Sequence, residues 1–289
     1  MKRKGLSLSI IISLVFYFCI QAEATILDFT DNVALPPGFY GYLYYNNYTA
    51  DKQTNHSGDN TFHLDLSTNV AILKPAYYFK LSERTFALFA YIPFGTVSSR
   101  GVLGNKERSS GLGDIVINPA VSLYENNRAG TFLSFYEYIS IPTGNWSENR
   151  ALRSGPNLGL HYWYLEHELS FAQVFGKFTY DMNINYFQRF EEPSLNTRYG
   201  DSFEVEGILG YGITDRLRAG VYADCWTDIN DTKVDGTTID HSKRRFFSIG
   251  PSLAYGTDKW AVHFRFVPDV ISENGPKGYQ TWLRLFYSF

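Results

Sequence analysis

The chain has 289 residues, of which 44% are hydrophobic and 17% aromatic, and its formal net charge is −3 at pH 7. The 22 tyrosines and 23 phenylalanines are residues that favour strands over long helices. After the first 24 residues no apolar run approaches the roughly twenty residues of a membrane-spanning helix, which excludes a helical membrane protein. The charge gives no basic footprint, so we expect no nucleic-acid partner.

The N-terminus has the three parts of a secretory signal peptide. A basic start, Lys2 to Lys4, precedes an apolar run from Leu6 to Ile20, and Ala22-Glu23-Ala24 forms a small-x-small cleavage site. We therefore predict that residues 1–24 are a signal peptide, removed after Ala24. A retained membrane anchor is the alternative.

The next segment, residues 25–38, has little periodicity of its own. It reads TILDFTDNVALPP from Thr25 to Pro37. Two interpretations are open at this point. The segment is either a frayed periplasmic tail, or a plug in which Leu27, Phe29 and Val33 fold into the structure formed by the rest of the chain.

From residue 39 to residue 289, apolar side chains recur at every second position in successive segments, which is the period of a strand. Short turns such as Leu81–Arg84 alternate with longer polar links, so short and long connections lie at opposite ends of one sheet. The longer links are Asp51–Asn60, Ser98–Ser110, Gly144–Trp163, Phe190–Tyr199, Asn230–Ser242 and Ile271–Pro276.

The number of strands between these connections is about twelve, and bacterial outer-membrane barrels have an even strand number with short periplasmic turns and long outer loops. We therefore predict an all-β fold, a transmembrane antiparallel β-barrel formed by residues 39–289. A soluble sandwich with an aromatic core is the alternative, and it would not explain the ordered alternation of turns and loops. The aromatic residues near strand ends are assigned to interfacial girdles: Trp226, Tyr255, Trp260, Tyr279, Trp282 and Tyr287.

The same alternation assigns a polar set to the inner face of the barrel. The set carries both signs of charge, so we expect ion pairs across the interior. A structural network that satisfies buried charges is the alternative to a solute-facing role. The predicted lumen-lining residues are Asp114, Asn118, Asp181, Asn183, Asn185, Arg189, Glu204, Glu206, Arg218, Asp224, His263, Arg265 and Arg284.

A second candidate constriction is the longest link, Gly144–Trp163. Long connections without regular structure are usually functional or disordered. The link contains bulky and basic side chains that could narrow a pore: Trp146, Arg150, Arg153 and Trp163.

The chain ends in KGYQTWLRLFYSF, an alternating strand whose last residue is Phe289. Such a strand must pair with the first strand, since an open edge cannot survive in hydrocarbon. Terminal aromatic residues of this kind, here Tyr287 and Phe289, resemble the signal by which the outer-membrane assembly machinery recognises its clients.

Several stretches resemble the outer-membrane channel-like family of the MetA pathway of phenol degradation. They are SGLGDIVINPAVSLY (Ser110–Tyr124), SIPTGNW (Ser140–Trp146), GPNLGLHYW (Gly155–Trp163) and WLRLFYSF (Trp282–Phe289). The resemblance implies a monomeric barrel, partly blocked inside by chain segments, that passes small hydrophobic molecules across the outer membrane.

An enzyme is the weaker hypothesis, although outer-membrane phospholipases also use a barrel. The nearest approach to their nucleophile and base is His56-Ser57, but adjacent residues on a strand point to opposite faces and could not act together. The histidines lack the spacing of a metal motif. We therefore expect no catalytic residues, no metal and no cofactor.

The sequence thus predicts a passive diffusion channel for small hydrophobic or aromatic molecules in the outer membrane of a Gram-negative bacterium. The expected partners are outer-membrane lipid and lipopolysaccharide, the barrel-assembly machinery and the small hydrophobic solutes, and the protein is expected to be a monomer. A non-conducting barrel with a structural or adhesion role is the alternative.

Overall fold

The computed structural model describes residues 27–100, 106–152 and 155–289. The predicted signal peptide, residues 1–24, and Arg153 lie outside them. No helix in these ranges is long and apolar enough to cross a membrane. One short helix, α1, spans Glu148–Ala151. The strands are β1 (Gly38–Thr54), β2 (Asn60–Leu81), β3 (Arg84–Arg100), β4 (Lys106–Leu112), β5 (Ile115–Asn126), β6 (Thr131–Ile141), β7 (Tyr164–Phe175), β8 (Phe178–Arg189), β9 (Thr197–Arg198), β10 (Ser202–Gly212), β11 (Leu217–Asp228), β12 (Lys233–Val234), β13 (Thr237–Thr238), β14 (Arg245–Gly256), β15 (Trp260–Glu273) and β16 (Pro276–Ser288).

Twelve of these strands close into an antiparallel barrel, which confirms the predicted fold class. The seam joins the two ends of the chain, because β16 pairs with β1 from Tyr40↔Ser288 onward. Closure leaves the membrane-spanning wall without an unpaired edge. The extra strand, β4, pairs with the C-terminal part of β3, from Phe94 to Arg100. β5 pairs with the N-terminal part of β3, from Phe86 to Tyr91.

The connections follow the predicted alternation, with one difference in length. Three of the expected long links are short, because the flanking strands continue past them as hairpins. β1 and β2 are separated by residues 55–59, β3 and β4 by residues 101–105, and β15 and β16 by residues 274–275. Polar side chains do not prevent this extension, since the backbone ladder continues through pairs such as Lys52↔His63. The links at residues 190–201 and 229–244 carry a small sheet of β9, β12 and β13.

The two faces of the wall differ sharply in burial. Large apolar side chains on the outward face are exposed, which is the composition that hydrocarbon requires of a barrel exterior. Their partners one residue along each strand are buried inside. Examples of the exposed set, each 38–51% exposed, are Leu43, Leu73, Leu88, Leu209, Val221, Leu253, Phe264 and Leu283.

The predicted location in an interfacial girdle is wrong for two residues, Trp226 and Trp282. Trp226 is 5% exposed and packs inside the barrel, with its ring centroid 4.5 Å from that of Phe187. Trp282 is half-buried and belongs to the interior core, where its Nε1–H donates to Gln280 Oε1 at 2.8 Å. The cause is strand parity: Trp282 is two residues from the inward Arg284, so it lies on the same face.

Candidate functional site: the barrel interior

The first described residues of the chain lie inside the barrel. Leu27 and Phe29 are 1% and 2% exposed, and Val33 is half-buried. The ring of Phe29 lies against Gly210 and Gly220, where an added Cβ would come within 2.5 and 2.7 Å of it. Glycine on β10 and β11 therefore provides the space for this ring. We call residues 27–37 the plug segment.

The plug segment contacts three of the predicted lumen residues, His263, Arg265 and Arg284, through carboxylate contacts and hydrogen bonds. The Asp28 carboxylate lies 3.6 Å from His263 Nδ1 and 3.3 Å from Arg284 Nη1. Arg284 also donates a short hydrogen bond to Asp31. Arg265 Nη1 donates to the backbone carbonyl of Leu27 at 2.6 Å. Burial alone would raise the pKa of Asp28, but the charges of His263 and Arg284 outweigh it and hold that pKa below its ordinary value.

On the opposite wall, β8 holds the plug segment through hydrogen bonds. Backbone N–H groups of the plug segment donate to one carboxylate, and one of its side-chain amides donates to an asparagine. Asp181 accepts the backbone N–H of Thr30 at 2.9 Å and that of Asn32 at 3.3 Å. The Asn32 side chain donates to Asn183 Oδ1 at 2.7 Å. Two further predicted lumen residues, Asp181 and Asn183, thus contact the plug segment.

The remaining predicted lumen residues are buried or half-buried, and most contribute to polar networks within the wall. Glu206 accepts the hydroxyl of Tyr222 at 2.5 Å, and Asn185 donates to Glu204 at 3.0 Å. Asn118 donates to the Glu137 carbonyl at 3.1 Å, next to Pro119, which has no N–H for the ladder. The others are Arg189, 1% exposed, and the half-buried Arg218 and Asp224.

Asp114 lies between β4 and β5 and fixes the long loop at residues 142–163. Its Oδ1 accepts the Gly144 N–H at 2.7 Å, and its Oδ2 accepts the Leu160 N–H at 2.6 Å. Burial raises the pKa of Asp114 against the effect of these two donors. One predicted lumen residue therefore positions the predicted second constriction.

The constriction candidates in this loop have different environments. The ring of Trp146 stacks on His161, with centroids 4.1 Å apart, and Arg150 Nε donates to Asn157 Oδ1 at 3.1 Å. Trp163 is 48% exposed and takes no part in this packing. Its neighbours on both sides are buried, so strand parity points Trp163 outward, and the structure removes it from the candidates.

Removal of the Asp114 carboxylate should release the 142–163 loop. In Asp114→Ala, the buried Leu160 N–H and the half-buried Gly144 N–H lose their acceptor, at up to about 1–3 kcal/mol each. We expect trypsin to cleave the detergent-purified variant faster at Arg150 than the parent. Gel electrophoresis of timed samples measures the rate of cleavage. Asp114→Asn keeps one acceptor oxygen and should be intermediate. An Asp59→Ala control removes an exposed carboxylate from another turn; equal cleavage of this control and Asp114→Ala would contradict the role of Asp114.

The interior also contains an aromatic chamber that sequence reasoning missed. Its rings come from β1, β2, β3 and β6, and the cavity between them has a volume of about 20 Å³. Strand alternation places these rings on the inward face and could have indicated the chamber. Tyrosine and phenylalanine are also common on the outward face of a barrel, so residue type alone does not distinguish the two. The rings lining the aromatic chamber are those of Tyr42, Tyr78, Phe89, Tyr91, Tyr136 and Tyr138.

The loop around His56-Ser57 is a tight turn. The Ser57 N–H donates to Asn55 Oδ1 at 2.9 Å, and the His56 ring lies 5.1 Å from the ring of His241. Within the described ranges, no group of three or more His, Cys, Asp or Glu side chains could hold a metal ion.

The chain terminus lies on the outward face at the seam. Phe289 is 85% exposed, and its backbone N–H donates to the Phe39 carbonyl at 3.3 Å. Its ring meets that of Tyr287 edge-on at 5.1 Å. The two predicted assembly-signal residues are therefore both accessible from outside.

Solved structures with the same architecture exist. An outer membrane channel from Pseudomonas putida F1 is 23% identical, with a TM-score of 0.83 over 91% of this chain and 100% of that one. The β domain of the Bordetella autotransporter BrkA is 8% identical, with a TM-score of 0.51 over 88% of this chain and 99% of that one. At these identities the likeness is one of fold.

No curated protein matches the chain in sequence. A family model does match, over residues 50–285, and its description is "Putative MetA-pathway of phenol degradation". The match spans most of the chain and confirms the resemblance carried by the motifs at Ser110–Tyr124 and Ser140–Trp146. This chain, a twelve-stranded barrel of the outer-membrane type, belongs to that family.

Proposed function

We propose that the protein is an outer-membrane channel through which small hydrophobic or aromatic molecules diffuse passively. The observation that carries the proposal is that the plug segment narrows the lumen without being part of the wall. The plug segment adds no strand to the barrel sheet and is attached mainly by side-chain contacts, from Arg284, Arg265, Asp181 and Asn183. Such a segment can move without opening the wall.

In this proposal a solute enters among the outer loops, contacts the aromatic chamber and leaves past the plug segment, driven by its own gradient. No catalytic group is required, because the radius, polarity and charge of the lumen select what passes. The predicted lumen residues act in two groups: those that hold the plug segment and those that line the remaining wall. The protein works as a monomer in the outer membrane of a Gram-negative bacterium, in contact with lipid and lipopolysaccharide.

The test is conductance in planar lipid bilayers, for the mature chain and for a variant that lacks residues 25–37. We expect small conductance from the mature chain and clearly larger, less frequently closed conductance from the deletion. Liposome swelling in 4-hydroxybenzyl alcohol, a neutral aromatic solute, should follow the same order. No conductance and no swelling with either folded form would favour the non-conducting alternative and reject the channel.

A further inference from the structure

A larger cavity lies among the loops at one rim of the barrel. Its volume is about 440 Å³, which is within the range of small-molecule pockets. It lies between the links at residues 190–201 and 229–244, which carry the small sheet of β9, β12 and β13. Its charged lining consists of three cations and two carboxylates: Arg198, Lys233, Lys243, Asp201 and Asp231.

The pairing register of the small sheet brings two of these cations together. Lys233 on β12 lies directly opposite Arg198 on β9, and its other neighbour, on β13, is Thr238. Residues that lie opposite each other share one face of a sheet, and all three line the cavity. Like charges in directly opposite positions are destabilising, so this face of the sheet favours an anion beside it.

The two carboxylates of the cavity are engaged by other groups. Asp201 Oδ1 accepts the backbone N–H of Arg189 at 2.9 Å, and Asp201 Oδ2 lies 3.6 Å from Arg198 Nη2. Asp231 Oδ1 accepts the Ser242 N–H at 2.9 Å and the Ser242 hydroxyl at 3.2 Å. The carboxylates therefore fix the loops and stabilise one of the three cations.

The two lysines have no partner within the part of the chain that the structure describes. Both side chains are exposed, and neither Lys233 Nζ nor Lys243 Nζ makes a hydrogen bond or an ion pair. Each ammonium group can donate three hydrogen bonds. The charge and the donors left unused in the cavity therefore suit an anion that is rich in acceptor oxygens.

The cavity lies on the lipid side of the wall, just beyond the apolar band. The backbones of two of its lining residues are joined, because the Ile229 N–H donates to the Asp201 carbonyl at 2.7 Å. This pair follows the buried pair Ser202↔Asp228, so by alternation it belongs to the outward face, like Phe203, which is 43% exposed. Long connections mark the outer end of such a barrel. The cavity is therefore at the level of the headgroups of the outer leaflet.

We propose that this cavity binds a phosphate group of lipopolysaccharide, the lipid of the outer leaflet. Lys233 and Lys243 bind the phosphate oxygens, Arg198 lies beside them, and the acyl chains follow the outward wall past Phe203. Basic side chains near an anionic membrane surface are attracted to its headgroups in this way. The proposal goes beyond the channel and does not depend on it, because the site lies outside the lumen.

The experiment is native mass spectrometry on the mature chain, refolded in detergent so that it carries no lipopolysaccharide from the cell. The probes are lipid A with two phosphates, the same lipid A after phosphatase treatment, and inorganic phosphate as a competitor. We expect one phosphorylated lipid A per chain, and binding of the dephosphorylated lipid that is weaker by about tenfold or more. Inorganic phosphate at equal concentration should not displace the lipid, because it lacks acyl chains. Equal binding of the two lipids, or displacement by equimolar phosphate, would overturn the proposal.

The matched variants are Lys233→Gln, Lys243→Gln and, as the control, Lys80→Gln, Lys259→Gln. Each removes two positive charges from exposed positions, but Lys80 and Lys259 lie at the opposite end of the barrel, at the short turns. The first variant should bind phosphorylated lipid A more weakly by about tenfold or more, and the control should bind like the parent. Lys233→Arg, Lys243→Arg keeps both charges and should retain binding. Heat-modifiable migration on gels checks that each variant is folded. Equal binding by the two folded glutamine variants, or none by the folded parent, would reject the site.

Discussion

Neutralising the two carboxylates of the plug segment, in an Asp28→Asn, Asp31→Asn variant, should raise channel conductance to near that of the chain lacking residues 25–37. Arg284 contacts both carboxylates, and His263 contacts the first. Loss of one partner from a buried ion pair costs roughly 3–5 kcal/mol. Each 1.4 kcal/mol is about tenfold in an equilibrium, so the population with a displaced plug segment should rise by more than about a hundredfold. Single-channel recording measures the change.

This variant changes side chains of the plug segment only and leaves the wall intact. An effect on conductance can therefore be distinguished from a defect in the folding of the barrel. The matched control is Asp215→Asn, Asp258→Asn, which removes two exposed carboxylates from the short turns and should conduct like the parent. Unchanged conductance in the plug variant, together with large conductance in the deletion, would mean that other contacts hold the segment. Asp181, which accepts two backbone N–H groups from it, is then the first to examine.

Deletion of Phe289 should strongly reduce the amount of protein assembled in the outer membrane. The Phe289 side chain is 85% exposed, so its removal uncovers little of the apolar surface that the rest of the barrel buries. Exposed substitutions of this kind change stability by only about 0.5 kcal/mol. An assembly defect would therefore reflect recognition of the terminal aromatic residue by the assembly machinery. The fraction of heat-modifiable protein in purified outer membranes is the measurement.

Two companion variants make the result specific. Phe289→Trp keeps an aromatic terminus and should assemble normally, whereas Phe289→Ser should resemble the deletion. The melting temperature of the small amount of deleted protein that does assemble should match that of the parent. A lowered melting temperature would instead assign the defect to the seam, where the Phe289 N–H is bonded to Phe39.

The barrel itself was predictable from sequence because its signal is periodic. Alternation fixes which residues share a face, and a closed sheet in lipid leaves two environments for those faces. The predicted inward residues, from Asp114 to Arg284, are accordingly buried or half-buried. Trp226 and Trp282 lie inside although they are near strand ends, because parity and not position along the strand decides which face a side chain occupies.

The contents of the lumen were less accessible to sequence reasoning. Residues 25–38 have little period, so the docking of the plug segment depends on partners such as Arg284 and Asp181 that are distant in sequence. The aromatic chamber was missed because tyrosine and phenylalanine suit lipid, interface and lumen alike. Only the pairing register, which brings Lys74 among rings from other strands, distinguishes these environments.

The seam between β1 and β16 also determines when the plug segment can dock during biogenesis. The contact of Arg284 with Asp28 spans 256 positions, and that of Arg265 with Leu27 spans 238. Contacts between chain ends form late, since the intervening loop must be closed first. Three of the wall residues that hold the segment, His263, Arg265 and Arg284, are on the last two strands of the barrel. The full set of contacts therefore requires a completed barrel, and before that only the contacts with β8 are available to hold the plug segment.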